Sequence, residues 1–157
     1  MKKFFLYTTA IAAMLVLCMS CSKDDSISPE AQQDFAKFLT AGTWEGLNKS
    51  EYKELGSWIE HTSTFVTMSF SRSGSQALSG TGVQIGYENS YKSKETERSE
   101  FKWNISGDRI YIEYSEGWTT VYARLGDCEL SSSRFKGWWI NNSDSDRRFV
   151  FDYSKSN

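Results

Sequence analysis

From Thr43 onward, apolar and polar side chains alternate with a period of two. Val66, Met68 and Phe70 alternate with Thr67 and Ser69. Val83, Ile85 and Tyr87 alternate with Gly82, Gln84 and Gly86. Phe101, Trp103 and Ile105 alternate with Lys102 and Asn104. Ile110, Ile112 and Tyr114 follow the Ser106-Gly107-Asp108 turn, and Val121, Ala123 and Leu125 follow Glu116-Gly117. Cys128 and Leu130 come after Gly126-Asp127, and Phe149, Phe151 and Tyr153 end the pattern. Successive strand residues face opposite sides, so each run predicts a strand with one apolar and one polar face. With the segment around Trp44 there are about eight such strands at regular spacing. Nearly every connection is too short for a crossover helix, which excludes a parallel sheet. The pattern predicts an antiparallel meander curled into a barrel or a sandwich.

One helix precedes the strands. Ser28 is a capping residue, Pro29 suits the first helical position and Glu30 complements the helix dipole. Ala31, Phe35, Phe38 and Leu39 form one apolar stripe, and Gly42 is a natural stop. The period changes again at the N-terminus. Lys2 and Lys3 precede an uncharged apolar run from Phe4 to Leu17. A membrane span needs about 20 apolar residues, so the shorter run reads as a secretory signal peptide. The organisation expected is a signal over residues 1–20, a tether over 21–28 and a β domain over 29–157.

Composition narrows the chemistry. The chain has 157 residues, which suits one domain, and 15% of them are aromatic, which suits a packed core. Its net charge of −2 argues against nucleic acid as a partner. One His and three Cys cannot build a His-rich or four-Cys metal site. His61 has Thr62 and Ser63 beside it in sequence, but neighbours along a strand diverge and make no triad. Asn142 to Asp146 starts like a calcium loop, yet Arg147 stands where the loop needs Gly, so it reads as a polar turn. Glu95, Glu97 and Glu100, interleaved with Lys94, Arg98 and Lys102, read as a solvated strand face. There is no phosphate loop and no dinucleotide fingerprint. The expectation is a non-enzyme with no cofactor and no metal. Cys128 is expected to be a buried thiol without a disulfide partner.

Two local patterns carry resemblances. Leu17-Cys18-Met19-Ser20-Cys21 resembles a bacterial lipobox, with Ser20-Cys21 at the junction and Cys18 where Leu is usual. That resemblance implies a thioether-linked lipid on Cys21 and a further acyl chain, such as palmitate, on the new amino terminus. Cys21-Ser22-Lys23-Asp24-Asp25 resembles the surface-export signal of one Gram-negative phylum, and Asp25-Ser26-Ile27 its short O-glycosylation site. Together they imply an outer-membrane lipoprotein exposed at the cell surface.

Leu39-Thr40-Ala41-Gly42-Thr43-Trp44 resembles the Gly-x-Trp opening of the lipocalin superfamily, and Phe101 to Leu130 is similar to the middle hairpins of bacterial lipocalin-like lipoproteins. The resemblance implies an eight-stranded up-and-down barrel, with Trp44 plugging one end beneath the helix. A late Arg stacks over that Trp in the family. Here the late basic residue is Lys155, and Arg147 and Arg148 come earlier.

The expected activity is binding, by a lipid-anchored monomeric barrel holding a small apolar molecule, a glycan or a peptide. The alternative is an interaction or inhibitory lipoprotein with a filled barrel, working through loops and exposed Trp. Taking the apolar face of each strand as inward predicts a mostly filled barrel with a shallow cavity lined by Tyr87, Trp103 and Tyr114. Gly80, Gly82 and Gly86 then fall outside. Of Trp138 and Trp139, one should lie outside the core and offer a surface aromatic.

Overall fold

The computed structural model describes residues 27–88, 92, 94–115 and 119–156. Ser28 caps the helix as predicted, its hydroxyl accepting a hydrogen bond from the Ala31 amide at 3.2 Å, with α1 running Pro29–Leu39. The strands follow in order: β1 (Thr43–Glu54), β2 (Ser57–Arg72), β3 (Ser79–Tyr87), β4 (Glu95–Ser106), β5 (Arg109–Tyr114), β6 (Thr120–Arg124), β7 (Glu129–Leu130), β8 (Arg134–Asn141) and β9 (Asp144–Lys155). Each of β1 to β5 pairs antiparallel with the next, β1 also pairs with β9, β9 with β8 and β8 with the short β7. Val121↔Asn141 and Tyr122↔Ile140 join β6 to β8 and close the ring. The chain is therefore a closed eight-stranded antiparallel barrel with one helix on its N-terminal side.

The eighth stave is not the predicted one. Cys128 to Leu130 yields only the two-residue β7, because a 3₁₀ turn at Leu125–Asp127 lifts the chain off β8 after β6. Arg134–Asn141 supplies the stave instead. The β1–β2 hairpin is the longest element and turns at Leu55 and Gly56, both with positive φ.

The core fills the helix end of the barrel. Gln32 Nε2 donates to Gly107 O, Gln33 Nε2 to Gln76 O, and Arg72 to Gln33 O, so α1 is tied to both turns of that end. Ala36 and Leu39 are fully buried, Phe35 is half-buried, and Phe38, expected inside, is exposed. Its neighbours on the inward face are two small or branched side chains that reach the barrel without it. Trp44 is buried, and its indole donates to Leu39 O at 2.8 Å. Phe135 meets the rings of Phe35, Trp44, Trp139 and Tyr153 edge-on and tilts against Phe151. Each large side chain buried in this way contributes about 1.5–3 kcal/mol. Lys155 stands opposite Trp44 across β1 and β9, but its aliphatic stem covers Gly42. Among the described residues the cation–π pairs are Arg109 with Tyr122 and Arg148 with Trp58 and Trp138.

One strand is turned over relative to expectation. In β3, Gly82 stands opposite Phe70 and Phe101, Gln84 opposite Met68 and Ser99, and Gly86 opposite Val66. Directly paired residues share a face, and Phe70, Phe101, Met68 and Val66 are core. Gly82, Gln84 and Gly86 therefore face inward, and Val83, Ile85 and Tyr87 face outward. Phe101 decides this: it occupies the place that a side chain at Gly82 would need.

Candidate ligand cavity

Beyond the filled half, the barrel holds a cavity of about 340 Å³. Its floor and walls come from the second, more polar half of each stave. β1 supplies Asn48, β3 Gln84, β4 Glu97 and Ser99, and β5 Tyr114. Thr119 and Val121 stand on the next stave, Trp139 and Asn141 on β8, and Arg147 and Phe149 on β9. All are on the inward register that begins with Trp44, Met68, Trp103, Phe135 and Tyr153 at the helix end. The wall mixes hydroxyls and amides with the charged Glu97 and Arg147 and the apolar Val121, Trp139 and Phe149, and more of its surface is apolar than polar.

Tyr114 and Gln84 are tied together. The Tyr114 hydroxyl donates to Gln84 Oε1 at 2.6 Å, and its ring meets Phe101 edge-on at 5.7 Å. Burial, aided by the negative charge of Glu97, pushes the Tyr114 hydroxyl well above the usual range for a tyrosine. Tyr153, stacked on Phe151 beneath the cavity, is shifted the same way by burial. Both hydroxyls stay neutral, because burial penalises the charged phenolate.

Three buried polar atoms here lack a hydrogen-bond partner among the described residues: Asn48 Oδ1, Trp139 Nε1 and Tyr153 Oη. The Trp139 indole favours the ionised form of Tyr153 slightly, yet no hydrogen bond forms between the two. Glu97 and Arg147 are exposed at the mouth.

The expected lining is only partly assembled. Tyr114 lines the cavity. Trp103 does not: it is buried in the filled half, with its indole shared between Ser71 O at 3.1 Å and Thr81 O at 3.2 Å. Tyr87 is on the outer surface, edge-on to Phe65 at 5.9 Å. Trp139, one of the two candidate surface aromatics, is interior at 3% exposure. Its neighbour Trp138 is the outer one, and with Trp58 it flanks the Arg148 guanidinium, which also bonds Glu51 at 2.8 Å.

The residues missed were Asn48, Gln84, Glu97, Ser99, Thr119, Asn141, Arg147 and Phe149. The available signal was the run Gly80-x-Gly82-x-Gln84-x-Gly86, in which small residues repeat on one face and make room for a neighbour's ring. Other candidates stay apart. His61 is exposed with its ring beside Tyr52, and the Asn141 side chain caps the turn at Ser143. Among the described residues no cluster of His, Cys, Asp or Glu is arranged to hold a metal, and no helix is long and apolar enough to cross a membrane. Cys21 and Trp118 lie outside the described residues. No protein-family model matches this chain, and no curated protein matches it significantly.

Proposed function

We propose that this protein is a lipid-anchored binding lipoprotein of the outer membrane, holding a small molecule in the open end of its barrel. The observation that carries the binding half is the 340 Å³ cavity with unpartnered Asn48 and Trp139 in its wall. An eight-stranded barrel either fills with side chains or holds one small ligand, and here each outcome occupies one half. The unpaired Asn48 and Trp139 atoms favour a ligand with hydrogen-bonding groups over a wholly apolar one. The anchoring half rests on Ser20-Cys21 and the apolar run before it. The tether of eight residues reaches under about 30 Å. It joins the chain at α1, so lipid on Cys21 sets the closed end toward the bilayer and the mouth away from it.

The alternative of an interaction protein acting through exposed Trp has less support. Trp58 and Trp138 are engaged with Arg148, and the barrel is not filled throughout. Native mass spectrometry of the protein from its own membranes tests the reading. A bound mass is expected in the wild type and absent in Ser99→Trp, which fills the cavity. A wild-type chain that carries and takes up no ligand overturns it.

A further inference from the structure

We propose that the cavity takes the neutral, hydroxylated head of an amphiphile, whose apolar part lies along the free end of the β1–β2 hairpin. This rests on the reading of the cavity as a ligand site and adds the class of ligand.

The head is set by what the wall lacks. Asn48 Oδ1 is an unpaired acceptor and Trp139 Nε1 an unpaired donor, and Trp139 is 3% exposed. A head carrying hydroxyls can donate to the first and accept from the second. A carboxylate only accepts, and an ammonium group only donates, so either leaves one of the two unpaired. Burying a charge without a partner is costlier still. The charged side chains lining the cavity are Glu97 and Arg147, one of each sign, both at the exposed mouth. Ser99, Thr119 and Asn141 supply hydroxyls and an amide for further head-group contacts.

The apolar part is set by the hairpin. Tyr52 stands directly opposite Arg147 of the cavity wall, and Ile59 directly opposite Tyr52. These residues continue the inner face beyond the rim. Tyr52 and Ile59 are each 38% exposed, an apolar pair beside the cavity mouth, and Leu55 at the hairpin tip is wholly exposed. Leu55 also holds φ +49°, a left-handed conformation that disfavours a branched side chain. Unpaired polar atoms and apolar pair together match one amphiphile, with its head in the barrel and its chain on the pair.

The test is isothermal titration of the full chain carrying Cys21→Ala, free of detergent. The probes are 1-decanoylglycerol, decanoate and glycerol, each below its aggregation concentration. The expected result is one-to-one binding of 1-decanoylglycerol, about tenfold or more tighter than either other probe, as one lost hydrogen bond implies. Asn48→Leu should weaken 1-decanoylglycerol about tenfold and leave decanoate unchanged, whereas Trp139→Phe should weaken both, since either head accepts from the indole. Circular dichroism melts confirm that each variant is folded. Tyr52→Ser with Ile59→Ser should weaken 1-decanoylglycerol and not glycerol. Decanoate binding as tightly as 1-decanoylglycerol overturns the neutral head and leaves the cavity reading standing. Equal binding of glycerol and 1-decanoylglycerol overturns the role of the apolar pair. Absence of binding by all three overturns this proposal, and the cavity reading falls with it only if the chain from its own membranes also carries no bound mass.

Discussion

The ring of Phe101 rests on the backbone of Gly82 across β3 and β4, and a β-carbon at 82 would overlap it and Ser69 O. This contact turns β3 over and places Gln84 in the cavity. Four positions further, Gly86 faces the same way, but a β-carbon there makes ordinary contacts, with Glu97 Cβ at 3.6 Å, Thr96 Oγ1 at 3.8 Å and Thr64 Cγ2 at 4.0 Å.

The two glycines should therefore respond differently to the same change. Gly82→Ala should cost about 1–3 kcal/mol by overpacking. Gly86→Ala should be neutral or stabilising by a few tenths to about 1 kcal/mol, because it reduces the freedom of the unfolded chain. Urea midpoints of both variants check this. Equal losses would show that Phe101 is not seated on residue 82.

Trp44→Ala should cost about 3–5 kcal/mol, as other buried Trp truncations do. Trp44→Phe keeps most of the packing against Phe135 and loses the bond to Leu39 O, which is worth about 1 kcal/mol. If both variants cost under about 1 kcal/mol, Trp44 does not hold α1 to the barrel.

Cys128 should be inert in the folded protein. Its Sγ lies 3.1 Å from where a side chain on Gly137 would begin, and burial, then Asp127, pushes the thiol up to about 12. Iodoacetamide at pH 8 should label it only after denaturation. The unfolded thiol loses its proton near about 8.5. Below that both states are protonated and stability is unaffected. Above it the unfolded chain ionises first, so stability falls as pH rises toward 12. Native-state labelling at the denatured rate would refute the buried placement.

Cys21→Ala should move the protein from the membrane fraction to the soluble one and abolish acyl labelling. Two or more acyl chains anchor stably where one is marginal, so the loss should be near complete. Retention of both the membrane location and the label would exclude Cys21 as the attachment site.

The fold class was legible because period two survives in almost every strand: Val66-Met68-Phe70 and Phe101-Trp103-Ile105 are core as their alternation implies. The helix start was legible because Ser28-Pro29 acts through local hydrogen bonding alone. The stave at Arg134–Asn141 was not, because Gly137 interrupts its inner Phe135 and Trp139 face while Trp138 and Ile140 make the outer face apolar too, which blurs the alternation.

The cavity was the least legible part. Treating the apolar face of a strand as inward holds where the interior is dry and filled, and it failed where the barrel is open and partly polar.

By itself the sequence determined the antiparallel strands and the capped helix, and the Gly-x-Trp resemblance implied the burial of Trp44. The strands follow from a period of two and the helix start from hydrogen bonding between near neighbours. Only the tertiary structure decided which face of β3 turns inward, which eight segments close the ring, and that Asn48, Gln84, Tyr114 and Trp139 meet. A closed ring has a fixed interior volume, and Phe101 from one strand can occupy it only where the next strand presents glycine. That trade is made between residues far apart in the chain, so it is settled when the barrel closes.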